Sequence, residues 1–270
     1  MPLTKSSHKV LLCLNLFSLM AFIIGCDNER NEADASQEMN DTIIGTTIYS
    51  DFVQEDYPLL IYLPPKFESK IDLPVIYLTD GASLFNRLVQ SNKEIGFEAI
   101  VVGIGDQGNN RGRDFLSGDC GGEESDGFLN FYNFITQELV PYIDDNYDNN
   151  HNYRSLVGHS LGGSFAALAL FMEDPDNALF YRFLSIDPAF YCDSDELDVF
   201  LQKRNLERVE IFRLFHSQSF QLESKWFNDY LNSKNFSWIE TRFRNYETED
   251  HVSVVIPSFK NGMKFIYDLN

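Results

Sequence analysis

The residues best suited to chemistry form one short run, Gly158-His159-Ser160-Leu161-Gly162. Tyr153 to Val157 precedes it as a strand candidate, and an Ala-, Leu- and Phe-rich stretch from Leu161 to Met172 follows as a helix that Pro175 must end. Gly-x-Ser-x-Gly between a strand and a helix predicts a sharp turn that projects a serine hydroxyl. Small residues two positions either side let neighbouring backbones pass closely. The helix amino terminus aims unpaired N–H groups at charge developing beside Ser160, and the N–H of Leu161 is the first such donor. The chemistry implied is nucleophilic attack on a carbonyl. A serine nucleophile also needs a base, and the histidines are His8, His151, His159, His216 and His251. Neither the histidines nor the four cysteines have metal-ligand spacing, so no metal or other cofactor is expected.

Positioning that serine requires a sheet. Leu59–Leu63 is an apolar run stopped by Pro64-Pro65, Pro74–Leu78 runs into Asp80-Gly81, and Ala99–Ile104 is a third. Runs that are apolar throughout suit parallel strands buried on both faces. Phe128, Phe131, Tyr132, Ile135, Leu139 and Tyr142 fall on one helical stripe. Strands are expected again at Phe183–Ile186, Val209–Phe215 and Phe236–Phe243, with a last amphipathic helix over Pro257–Tyr267. This alternation predicts an α/β fold, a mostly parallel sheet with helices on both faces. The segments Thr46–Tyr49 and Leu59–Leu63 lie too close for a crossover helix and should pair antiparallel. One domain is expected over residues 42–270.

The order of these pieces resembles the esterase branch of the α/β-hydrolases, which includes enterochelin esterases, S-formylglutathione hydrolases, mycolyltransferases and feruloyl esterases. The matching stretches are Ile61-Tyr62-Leu63-Pro64-Pro65, Pro74–Leu78 with Asp80-Gly81, Val101-Val102-Gly103-Ile104, Glu138-Leu139-Val140-Pro141-Tyr142-Ile143 and Gly158-His159-Ser160-Leu161-Gly162-Gly163. The resemblance implies an α/β-hydrolase fold and the chain order serine, acid, histidine, which leaves His216 and His251 as bases. His251-Val252-Ser253 matches the family's His-x-Ser pattern before the last helix, so His251 is preferred. For the acid, the family places a carboxylate beyond the strand here ending at Phe215. The first one in that loop is Glu223, which is preferred, with Asp187 as its rival and a Ser–His dyad as the third choice. The resemblance puts a second oxyanion donor at Ala82. Arg111 and Arg113 resemble the family's loop arginine, to touch a polar or anionic substrate or merely to meet solvent. No long insertion follows Ile186, so no large lid is expected.

Composition narrows the partners. The chain has 270 residues, 44% hydrophobic and 14% aromatic, enough for a sizeable core. A net charge of −20 argues against nucleic acid as a partner. Lys5 and Lys9 precede an uncharged apolar stretch from Val10 to Ile24, and Ile23-Ile24-Gly25-Cys26 resembles a bacterial lipobox. The expectation is therefore a signal peptide over residues 1–25, lipid on Cys26, an acidic tether over residues 26–41, and a place in the bacterial cell envelope. The lipid is then the sole membrane contact. Cys120 and Cys192 are either bridged or two separate thiols. The leading expectation is an exported serine carboxylesterase acting on a small-molecule ester. A siderophore trilactone esterase and a non-catalytic binding lipoprotein of the same fold are the alternatives.

Overall fold

The computed structural model describes residues 41–105, 110–122, 126–174, 176–204, 206–207, 210–222 and 224–270. The expected signal peptide, Cys26, the tether to residue 40 and Glu223 lie outside the described residues. In chain order the principal elements are β1 (Thr42–Ser50), β2 (Glu55–Leu63), β3 (Val75–Leu78), α1 (Gly81–Glu94), β4 (Ile100–Ile104), α2 (Arg111–Phe115) and α3 (Gly127–Asn133). After α3 come α4 (Val140–Asn146), β5 (Arg154–His159), α5 (Leu161–Ala169), β6 (Arg182–Ile186), α6 (Ser194–Gln202), β7 (Phe212–Ser219), α7 (Lys225–Lys234), β8 (Ile239–Tyr246) and α8 (Val255–Ile266).

The strands make one eight-stranded sheet in the order β1-β2-β4-β3-β5-β6-β7-β8. β1 pairs antiparallel with β2, as their short connection requires, and β2 pairs antiparallel with β4. Every other pair is parallel. All of β3 and β4 is buried, which is why those runs carry no polar alternation. On one face Leu84, Phe85, Leu88 and Val89 of α1 and Val255, Phe259, Met263 and Ile266 of α8 pack against Leu78, Val101 and Leu184. On the other face lie α3 to α7, whose core is rich in rings such as Phe131, Phe134, Phe165, Phe200 and Phe227. Phe128, Phe131, Phe134, Phe165 and Phe200 meet at tilted or edge-on angles with centroids 5.1 to 6.1 Å apart.

Three expectations change. The stripe from Phe128 to Tyr142 is interrupted by a π-helical turn over Phe134–Leu139. Pro141, lacking an N–H, sits just beyond it, so the regular i→i−4 ladder could not have run through. β7 runs to Ser219, past the expected end at Phe215, because His216, Ser217, Gln218 and Ser219 pair with Phe243, Arg244, Asn245 and Tyr246 of β8. Helix α1 begins at Gly81, where the sequence signalled a turn; Asp80, in the left-handed region at φ 56°, makes that turn and starts the helix at once. Cys120 and Cys192 are disulfide-bonded, with Cα atoms 4.5 Å apart.

Candidate active site

Ser160 stands between β5 and α5 at φ 59°, ψ −123°, a backbone state that L-residues rarely adopt. The two glycines make the turn feasible. A Cβ on Gly158 would lie 1.9 Å from the Gly162 carbonyl oxygen, and one on Gly162 would lie 2.2 Å from Thr79 Oγ1. The turn is pinned from both sides. Ser160 N–H donates to the Ile186 carbonyl at 3.0 Å, and the Ser160 carbonyl accepts from Ala189 N–H at 3.1 Å. With its own N–H engaged, Ser160 leaves the N–H groups of the first turn of α5, Leu161 foremost, to face a ligand. Ala82 occupies the matching place in the first turn of α1. That loop must approach β4 closely, since a Cβ on Gly81 would meet the Gly103 carbonyl carbon at 2.5 Å.

His251 lies in the loop between β8 and α8. Its backbone N–H donates to Gln221 Oε1 at 2.9 Å, and Asp250 Oδ1 accepts from Val252 and Ser253 N–H. Asp187 Oδ2 lies 2.7 Å from His251 Nδ1. Asp187 is fully buried, sits at φ 44°, and accepts Ser219 N–H at 2.6 Å on its other oxygen. The carboxylate at His251 is thus Asp187, ranked second on sequence, whereas the preferred Glu223 falls outside the described residues. The physical reason lies in β7. Its extra residues carry Ser217 and Ser219 up to the end of β6, where both hold the Asp187 loop.

His216, the discarded base, is buried in β7 against Phe227 and Phe243. Neither of its ring nitrogens meets a partner of good geometry. Burial pushes its pKa down to about 3, against a weak opposing pull from Asn228. His159, unremarked on sequence beyond its place in the motif, packs its ring 4.4 Å from that of His251 and donates Nε2–H to the His251 carbonyl at 2.8 Å. Burial, then the neighbouring His251, push its pKa down to about 4. The nearest ligand atoms of His159, Asp187 and His251 lie within 4.8 Å of one another, the one such group among the described residues. Within this group His251 Nδ1 and Asp187 Oδ2 are bonded to each other, and His159 Nε2 is bonded to the His251 carbonyl.

Ser160, His159, His251, Asp80, Arg111 and Leu84 line a cavity of about 230 Å³ at the carboxyl edge of the parallel strands. Arg111 forks onto Asp80, Nε to Oδ1 at 2.6 Å and Nη2 to Oδ2 at 3.0 Å, and so ties its loop to the turn before Ala82. Arg113 is taken up elsewhere, by Glu55 and Asp114, and does not line this cavity. A larger cavity, about 960 Å³ between Asp119 and Arg204, contains none of the residues of the Ser160 cavity.

A family model described as "Putative esterase" matches residues 50–254, which include Ser160, Asp187 and His251. The chain belongs to this family. It is a serine hydrolase of carboxylic esters. The esterase is 23% identical over 245 residues to the ferri-bacillibactin esterase BesA of Bacillus subtilis, covering 77% of this chain and 84% of that one. Among solved structures, an IroE-like serine hydrolase from Shewanella oneidensis superposes with TM-score 0.68 at 24% identity, over 83% of this chain and 79% of that one. A siderophore hydrolase, EstB from Aspergillus nidulans, gives 0.66 at 20% over 85% and 95%. These two likenesses establish the α/β-hydrolase fold.

Proposed function

We propose that the esterase cleaves its substrate through an acyl-enzyme on Ser160, with His251 as base and Asp187 as its orienting acid. The observation that carries this is the 2.7 Å contact between Asp187 and His251 Nδ1 in a loop that shares a cavity with the elbow serine. With Nδ1–H donated to the carboxylate, Nε2 is the free acceptor. It takes the Ser160 proton as Oγ attacks the carbonyl carbon, and the N–H groups of Leu161 and Ala82 receive the oxyanion. The C–O bond to the alcohol then breaks and His251 returns the proton to the departing oxygen. Water repeats the sequence on the acyl-enzyme, releasing the acid and free Ser160. Ser160→Ala or His251→Ala should lower kcat for nitrophenyl acetate by about 10³-fold or more. A fluorophosphonate should label the wild type at one site. Equal turnover in wild type and Ser160→Ala would reject the mechanism.

The substrate is a small-molecule ester. A siderophore trilactone is the second reading, supported by the relatives' names and by Arg111 in the Ser160 cavity. Hydrolysis of a ferric catecholate trilactone at least as fast as of nitrophenyl esters would favour it. The leader and Ile24-Gly25-Cys26 support export with lipid on Cys26 and residence in the bacterial cell envelope. Cys26→Ser should then abolish processing and release the protein from the membrane fraction; unchanged processing would point to an ordinary signal peptide.

A further inference from the structure

A third cavity, of about 410 Å³, opens at Ala82, the neighbour in α1 of Ser83, which lines the Ser160 cavity. Gly45, Thr47, Pro58, Leu60, Gly103 and Ala82 line it, and none of its described lining residues is charged. Two glycines there are demanded by packing. A Cβ on Gly103 would lie 2.7 Å from the Phe85 ring, and one on Gly105 would lie 2.6 Å from Pro58. Gly45 is different. It sits within the nine-residue strand β1, paired with Leu60, and a Cβ there would meet nothing within 4 Å. Glycine weakens a strand interior, and one that packing does not require marks a place where something else comes close. A side chain at Gly45 would fill the groove.

The sheet order says which part of an ester lies on this side. Ser160 follows β5, and His251 reaches it from the β6 side, held by Asp187 just after β6, while the groove is built on β1, β2 and β4 on the other side of β5. The departing alcohol must lie at His251 to receive its proton. With the carbonyl oxygen between the N–H groups of Leu161 and Ala82, the other substituent of the carbonyl carbon points away from His251, past Ala82. We propose that the groove from Ala82 to Gly45 is the acyl subsite of the esterase and that it takes an uncharged, unbranched acyl chain of medium length. This rests on the acyl-enzyme reading of Ser160. The cavity volume accommodates such a chain, and its charge-free lining would exclude a carboxylate-bearing acyl group.

The test compares kcat/KM for nitrophenyl octanoate and nitrophenyl acetate, which share one leaving group. Burying a methylene favours binding about fourfold, so partial burial of the extra carbons should make the wild-type octanoate-to-acetate ratio about tenfold or more. Gly45→Trp should cut that ratio by about tenfold. Gly45→Val, a residue that suits a strand, should cut it less, and thermal melts would report whether each variant is folded. A wild-type ratio near one, or a ratio unchanged in the folded variants, would overturn the subsite while leaving Ser160 catalysis standing. A flat ratio together with altered self-association in Gly45→Trp would assign the groove to a second copy and also overturn it. Absence of any Ser160-dependent hydrolysis by the wild type would overturn the esterase mechanism, and this inference with it.

Discussion

A carboxylate without solvent needs a partner for each oxygen, and Asp187 has two: Ser219 N–H on one and His251 Nδ1 on the other. Such a group can fix the tautomer and tilt of an imidazole through many turnovers. Asp187→Asn should therefore lower kcat/KM on nitrophenyl acetate by about 10²–10⁴-fold with the fold intact. Glu223→Gln should stay within about twofold. The reverse pattern would restore Glu223 as the acid, and a mild effect of both would leave a Ser160–His251 dyad. At this scale a motif and a chain order single out Ser160 and His251 in the sequence, and the fold brings both to one cavity. The sequence leaves the acid open, because Asp187 is recognisable only by what surrounds it: a serine-bearing strand end that reads as loop.

The same strand carries an acid-sensitive element. His216 is fully enclosed in β7 between α7 and β8, and burial holds its pKa near 3, against an ordinary value of 6.5. Between those two values the unfolded chain binds a proton that the folded chain refuses. The contribution of His216 to stability is therefore whole above pH 6.5 and is lost as pH falls toward 3, at up to about 1.4 kcal/mol per pH unit. His159 adds a smaller effect of the same sign. In urea titrations at several values between pH 7 and pH 4, His216→Leu should show a shallower loss of stability than wild type; parallel slopes would remove His216 from the account. Elements read well from the sequence where burial is two-sided, as in β3 and β4, and poorly where polar residues are buried. β7 runs beyond its expected end because Ser217 and the Ser219 N–H are satisfied by the Asp187 loop and Ser258, partners remote in sequence. α1 stands where the sequence reads only as a turn, because Asp80 both turns the chain and starts a helix.

At the scale of the whole molecule, strand–helix alternation disclosed the parallel sheet and its two covered faces. It could not disclose the order of the strands or the pairing of Cys120 with Cys192, which spans 72 residues. Closing a loop of that length restrains the unfolded chain, by roughly 4 kcal/mol in the simplest entropic account, so the bridge bears on the whole domain although it joins two loops. The elbow acts in the opposite direction. A non-glycine residue held as Ser160 is stores about 1–3 kcal/mol of backbone strain, out of a total stability of about 5–15 kcal/mol for a typical domain. Glycine at position 160 would relax that strain and, by the mechanism proposed above, end catalysis with it. A library of variants sorted only by survival of heating would therefore enrich proteins that fold better and hydrolyse nothing, with the serine among the first residues to go. Screens for a tougher form of this esterase need a turnover readout in every round.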